Sequence, residues 1–166
     1  MEHMTVNEPS VVDEAAFTVR RTIRIAAPVD QVWRAVTEPE HLSRWFGRTV
    51  LAGVGAGAAP HAGATGTMTF GESYVVPFRV EAIDPPRSVS YRWGNDDAAG
   101  TLTETLDEAT STVFTFTLEA FADGTQLTVV ETGFDRTSDP AANLAEHGRG
   151  WVSELDKLVA LLEGDA

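Results

Sequence analysis

The segment from Asp139 to Gly164 carries the longest helical pattern in the chain. Asp139 suits an N-cap, Pro140 the first helical position and Gly164 a stop. Leu144, Trp151, Leu155, Leu158 and Leu162 are spaced by seven, four, three and four residues, so they share one face. Glu146, Arg149, Ser153, Asp156 and Lys157 lie mostly opposite. Gly148 and Gly150 weaken the helix, each by about 1 kcal/mol relative to Ala. Nearly everything before Asp139 reads as short strands with one apolar face. Such a sheet needs a cover, and this helix is the long candidate for it. The expected class is α+β: a curved antiparallel sheet of six to seven strands around a long C-terminal helix, with two short helices after the first strand.

The remaining elements follow from local pattern. Residues 1–16 are polar and acidic without periodicity and read as a disordered leader, leaving 17–164 as a single domain. Phe17 to Ile25 alternates, with Val19, Arg21, Ile23 and Ile25 on one face. Pro28 opens a helix to Thr37 whose buried stripe is Val29, Val32, Trp33 and Val36; Trp33 is assigned wholly to the core. A second helix, Pro39 to Phe46, carries Leu42, Trp45 and Phe46, with Gly47 as its cap. Arg48 to Ala52 reads as a brief strand, and 53–66, rich in Gly, Ala and Pro, as a loop. Strands are expected at Thr67 to Phe70, Tyr74 to Ile83, Ser88 to Trp93, Thr101 to Leu106, Val113 to Ala120 and Gln126 to Thr132. In the second of these, Tyr74, Val76, Phe78, Val80 and Ala82 form one apolar face. Asp84 to Arg87 is a turn and Gly94 to Gly100 a hairpin loop. Strands joined so tightly form an antiparallel meander.

Composition removes several function classes. The chain has no Cys, so disulfides, thiol nucleophiles and Cys-type metal sites are excluded. The four His are scattered without ligand spacing, and no metal or cofactor is expected. There is no Gly-x-Ser-x-Gly elbow and no phosphate-binding loop, so no catalytic residue is assigned. A net charge of −13 disfavours nucleic acid and anionic membranes. No run reaches the length of a membrane span, and the acidic N-terminus is not a signal peptide; the expected location is cytoplasmic. From Trp93 to Asp135 there are nine acids and no Lys or Arg, a solvated face or a docking surface for a basic protein partner. Eleven Arg against one Lys point to a GC-rich bacterial genome.

Inward faces should be apolar, so inward charges mark a site. Arg21, Glu104 and Glu131 fall on apolar faces of their strands, and His147 sits one turn before Trp151. They would form the polar pole of an apolar pocket, with Trp45, Phe78, Tyr91, Trp93, Phe116 and Trp151 as walls, or else reach water where strand ends splay, with Arg21 paired to a Glu to fix register. The expected occupant is a small, largely apolar, aromatic or lipid-like ligand.

Ile25-Ala-Ala-Pro-Val-Asp-Gln-Val-Trp-Arg-Ala-Val-Thr-Glu-Pro-Glu-His-Leu-Ser-Arg-Trp-Phe-Gly47 resembles the opening signature of the SRPBCC, or START-like, superfamily, in the branch named after the C-terminal domain of the activator of Hsp90 ATPase. Val80 to Arg87 with Tyr91-Arg-Trp93 resembles its central strand–turn–strand. Gly124-Thr-Gln-Leu-Thr-Val with Gly150-Trp-Val-Ser-Glu-Leu-Asp-Lys-Leu resembles its closing strand and helix. The resemblance spans roughly Phe17 to Leu162 and implies the helix-grip (START/Bet v 1-like) fold with an apolar cavity. The Gly/Ala-rich loop departs from the usual short strand and Gly-Gly turn. The resemblance carries two further functions beside ligand binding: an Hsp90 co-chaperone-like interaction domain, and a cyclase or hydrolase of polyketide-like substrates using His147 with Glu104 or Glu131.

Overall fold

The computed structural model describes residues 7–52, 60–96 and 105–164. In chain order the elements are β1 (Val11–Asp13), β2 (Thr18–Ile25), α1 (Val29–Thr37), α2 (Pro39–Trp45), β3 (Arg48–Leu51), β4 (Thr65–Phe70), β5 (Tyr74–Asp84), β6 (Ser88–Trp93), β7 (Thr112–Phe121), β8 (Gly124–Thr132), a 3₁₀ turn (Phe134–Arg136) and α3 (Pro140–Glu163). Eight strands form one antiparallel sheet in the order β1-β2-β8-β7-β6-β5-β4-β3. The strands β3 to β8 run as a meander, and β8 then closes against β2. The helices α1 and α2 carry the chain from β2 to the far edge of the sheet. This is the expected α+β, helix-grip arrangement, with one strand more than expected.

The core lies between the sheet's inner face and α3. β2 buries Val19, Arg21, Ile23 and Ile25 and exposes the alternate residues, as its parity requires. α3 buries Leu144, Trp151, Leu155 and Leu158 over that face, while Leu162 is half-buried near its end. Asp139 accepts a hydrogen bond from the Ala142 N–H at 3.2 Å, and Pro140 occupies the first turn, so the helix starts where its sequence places it.

Five local expectations are corrected. Residues 7–16, read as part of a disordered leader, are built into the fold: Val11–Asp13 pairs with Thr18–Arg20 as the edge strand β1. Asp13 Oδ1 accepts from the Ala15 and Ala16 N–H groups, and Phe17 takes a φ of 56°. A bulky residue in the left-handed region gives no turn signal in the sequence, so the hairpin was hidden. In β5 only Val76, Phe78 and Val80 of the expected face are buried; Tyr74 and Ala82 are exposed. A bulge between Val80 and Ala82 inserts an extra residue, which turns Ala82 outward beside Ser90 and sets Ile83 opposite Val89. Trp33 packs against the core but is only half-buried. Gly47 is not the left-handed cap of α2, since Phe46 is the capping residue; a Cβ on Gly47 would lie 2.8 Å from the Phe70 ring, so close approach explains it. The Thr101 to Leu106 strand is not formed at Thr105 and Leu106, and 101–104, with 53–59 of the Gly/Ala loop and residues 97–100, lie outside the described residues.

Candidate functional site

Three inward positions meet at one end of the sheet. Trp93 ends β6, Thr112 begins β7 and Glu131 lies near the end of β8. Trp93 pairs with Thr112, and Phe114 with Glu131, so these side chains stand in adjacent rows under the first half of α3. That half of the helix supplies His147 and Trp151.

Glu131 is completely buried and saturated with donors. Its Oε1 accepts from Trp151 Nε1 at 2.9 Å and from His147 Nδ1 at 2.9 Å. Its Oε2 accepts from Trp93 Nε1 at 2.8 Å and from the Thr112 hydroxyl at 2.5 Å. The other ring nitrogen of His147, Nε2, lies 3.0 Å from the Asn95 carbonyl oxygen. With the Glu131 carboxyl ionised, both ring nitrogens face acceptors, and a proton on each satisfies both contacts. The pair is an imidazolium against a carboxylate. Burial alone would push the Glu131 carboxyl up; the His147 charge and the donors of His147, Thr112 and Trp93 outweigh it and hold the group below its usual range. The His147 ring is wedged edge-on between Phe134 and Trp93, with centroids 5.1 and 5.9 Å away.

Beside this pair a half-open pocket of about 230 Å³ lies between α3 and the ends of β4, β5 and β6. Its aromatic walls are Phe46, Phe70, Trp93 and Trp151, with Tyr74 at the rim. Asn95, His147, Gly150 and the carboxylates Glu146 and Glu154 complete it. Phe46 stacks on both Trp93 and Trp151, at 5.7 and 5.6 Å between centroids. The rim is held in place: the Tyr74 hydroxyl donates to Asn95 Oδ1 at 2.8 Å, and Asp96 accepts from the Ser138 hydroxyl and Asn143 Nδ2, each at 2.8 Å. Glu154 Oε1 lies 2.9 Å from Lys157 Nζ, an ion pair not aligned as a hydrogen bond. Burial pushes the Glu154 carboxyl up, and Lys157 only partly offsets this.

Of the residues expected at the site, Trp93, His147 and Trp151 line the pocket and Glu131 lies directly behind it, bonded to all three. Tyr91, Trp45, Phe78 and Phe116 are elsewhere, in the packed aromatic core; the Tyr91 hydroxyl donates to the Val36 carbonyl and the Trp45 indole to the Ala35 carbonyl. Arg21 is on the far side of α3. Its guanidinium donates to the carbonyls of Glu8, Trp151 and Val152 and to Asp156 at 2.9 Å, which ties β2, the helix and the N-terminal segment together. Glu104 lies outside the described residues. The sequence reading missed Phe46, Phe70, Tyr74, Asn95, Glu146, Gly150 and Glu154 as pocket residues. Only Gly150 carried a signal, a glycine in mid-helix with no turn to explain it. The acidic Trp93–Asp135 segment is not one open face: Glu131 is buried and Asp96 is engaged with α3.

Among the described residues no group of three or more His, Asp or Glu is placed to hold a metal, and no helix is long and apolar enough to cross a membrane.

Residues 26–163 match the family model described as activator of Hsp90 ATPase homolog 1-like protein. No curated protein matches the chain. Among solved structures, DynU16, a protein in the dynemicin biosynthetic locus, is 26% identical with a TM-score of 0.67; the match covers 89% of this chain and 48% of that one. The chain thus spans about half the length of DynU16. Protein MLL2253 from Mesorhizobium loti is 25% identical with a TM-score of 0.71, over 90% of this chain and 98% of that one. CalU16 from Micromonospora echinospora is 20% identical with a TM-score of 0.64, over 97% and 87%, a likeness of fold.

Proposed function

Because the chain belongs to the activator of Hsp90 ATPase homolog 1-like family, we propose that it works as a binding protein for a small, largely apolar, aromatic ligand held between α3 and the sheet. The observation that carries this reading is the pocket itself: four aromatic walls around a preorganised Tyr74–Asn95–His147–Glu131 chain. A few fixed polar groups in an apolar recess give orientation, and the rings give contact area. The volume of about 230 Å³ is below that of drug-sized sites, which limits the occupant to one or two rings. DynU16, from a biosynthetic locus, is consistent with a domain that handles small organic molecules.

Binding is better supported than acid/base catalysis. A general base needs a free lone pair near the substrate. Both nitrogens of His147 already donate, to Glu131 and to Asn95.

The test is an amide-resolved NMR titration with one- and two-ring aromatics, run on the native chain and on Gly150→Leu. A Cβ at Gly150 meets nothing within 4 Å, so the larger side chain should plug the pocket without disturbing the fold. The expected result is shifts at Phe46, Phe70, Trp93, His147 and Trp151 that vanish in the plugged variant. Silence at these amides across the panel, or shifts that the plug leaves untouched, would reject the site.

A further inference from the structure

Resting on the reading of this pocket as a ligand site, we infer that its occupant carries a cationic amine beside its aromatic ring. Two carboxylates, Glu146 and Glu154, flank Gly150 one turn before and one turn after on α3, and both line the pocket. The remaining walls are largely aromatic rings, whose quadrupoles attract cations. His147, a lining group that can carry positive charge, is already matched by Glu131 behind it. The pocket therefore presents two carboxylates, whose basic partners Arg149 and Lys157 do not line it, and several aromatic rings to whatever enters.

Both carboxylates have cations on their outer side. Arg149 lies 2.7 Å from Glu146 and Lys157 lies 2.9 Å from Glu154. The two basic side chains are 70% and 52% exposed, and neither lines the pocket. The Arg149–Glu146 pair is exposed on both sides and contributes at most about 1 kcal/mol, and Lys157 is half-exposed, so both basic side chains can yield to a cation arriving from within. Glu154 is the stronger partner because its side chain is only 21% exposed. Burial pushes its carboxyl up even with Lys157 present, so an enclosed cation would meet a carboxylate short of compensation. The net charge of −13 also concentrates cations near the surface.

Tryptamine, 3-propylindole and indole-3-propionate share one ring system and differ in charge, and each can be titrated by calorimetry with amide NMR as the site readout. Tryptamine should bind about tenfold more tightly than 3-propylindole, with indole-3-propionate weakest. Glu154→Gln, checked for an unchanged amide spectrum, should remove the tryptamine advantage and leave 3-propylindole unaffected. Equal affinity of the amine and the neutral analogue, with shifts at the pocket amides, would overturn the amine inference and leave the binding reading standing. A preference that survives Glu146→Gln and Glu154→Gln together would overturn the assignment to these carboxylates. No shift at the pocket amides from any of the three would overturn both.

Discussion

Two glycines one residue apart from a shared neighbour, Gly148 and Gly150, give a sharp test of how β1 sits on α3. Either one changed to Ala removes the same backbone-entropy cost and gains about 1 kcal/mol of helix stability. Their surroundings differ. A Cβ at Gly150 meets nothing within 4 Å, while one at Gly148 falls 2.9 Å from Val12 Cγ2. Ordinary carbon contacts lie near 3.5–4.0 Å, so the Gly148 methyl must push β1 away or stay strained, at a cost of roughly 1–3 kcal/mol. Gly150→Ala should therefore stabilise by about 1 kcal/mol, which for a chain of this size raises Tm by roughly 2–4 °C. Gly148→Ala should be neutral or destabilising. In a Val12→Ala background the obstructing methyl is gone, and Gly148→Ala should recover most of the propensity gain. Urea unfolding of the native chain, Val12→Ala, Gly148→Ala and the double variant closes a double-mutant cycle whose coupling should be about 1 kcal/mol. If Gly148→Ala and Gly150→Ala stabilise the native chain equally, within about 0.3 kcal/mol, Val12 is not seated against the helix and the placement of β1 is wrong.

The remaining predictions concern the buried charge pair. Glu131→Gln cannot accept from His147, Thr112, Trp93 and Trp151 at once, and it leaves a buried imidazolium without its counter-charge. The expected loss is about 3–5 kcal/mol in urea unfolding, and a loss under about 1 kcal/mol would show that the pair is not ionised. The Glu131 carboxyl is held below its usual range in the folded chain, so the folded state binds that proton less tightly than the unfolded one. Its stabilisation is present above the ordinary carboxylate value of about 4.3 and is lost as pH falls through the lowered native value. The stability gap between the native chain and Glu131→Gln should narrow in that acid window, and a gap unchanged at pH 3 would contradict the assignment.

The element order was legible because it depends on local pattern. Period-two alternation set the inward faces of β2, β6, β7 and β8, and the spacing of Leu144, Trp151, Leu155 and Leu158 set the buried face of α3. Where one extra residue broke the period, as at the β5 bulge, parity failed past the break and placed Ala82 inside. The β1 hairpin was invisible because its turn uses Phe17 in place of Gly or Asn.

For the site, sequence alone placed Arg21 and Glu131 on apolar strand faces and His147 near the apolar stripe of α3, and left open whether they reach water. All three are indeed buried. Parity states on which side of a sheet a residue lies, and says nothing of where along the sheet it meets the helix. That is settled by registers between distant segments: Val19 opposite Glu131, Trp93 opposite Thr112, and α3 laid across them. These pairings sent Arg21 to a clasp on the far side of the helix and Glu131 to the end where His147, Trp93 and Trp151 converge. They also brought Phe46 from a helix end into the space beneath α3, so that the large aromatics became a filled core with one pocket at its edge. Which side chains are apolar is a property of the chain; which space they leave open depends on contacts between residues far apart in sequence, and only the tertiary structure decides it.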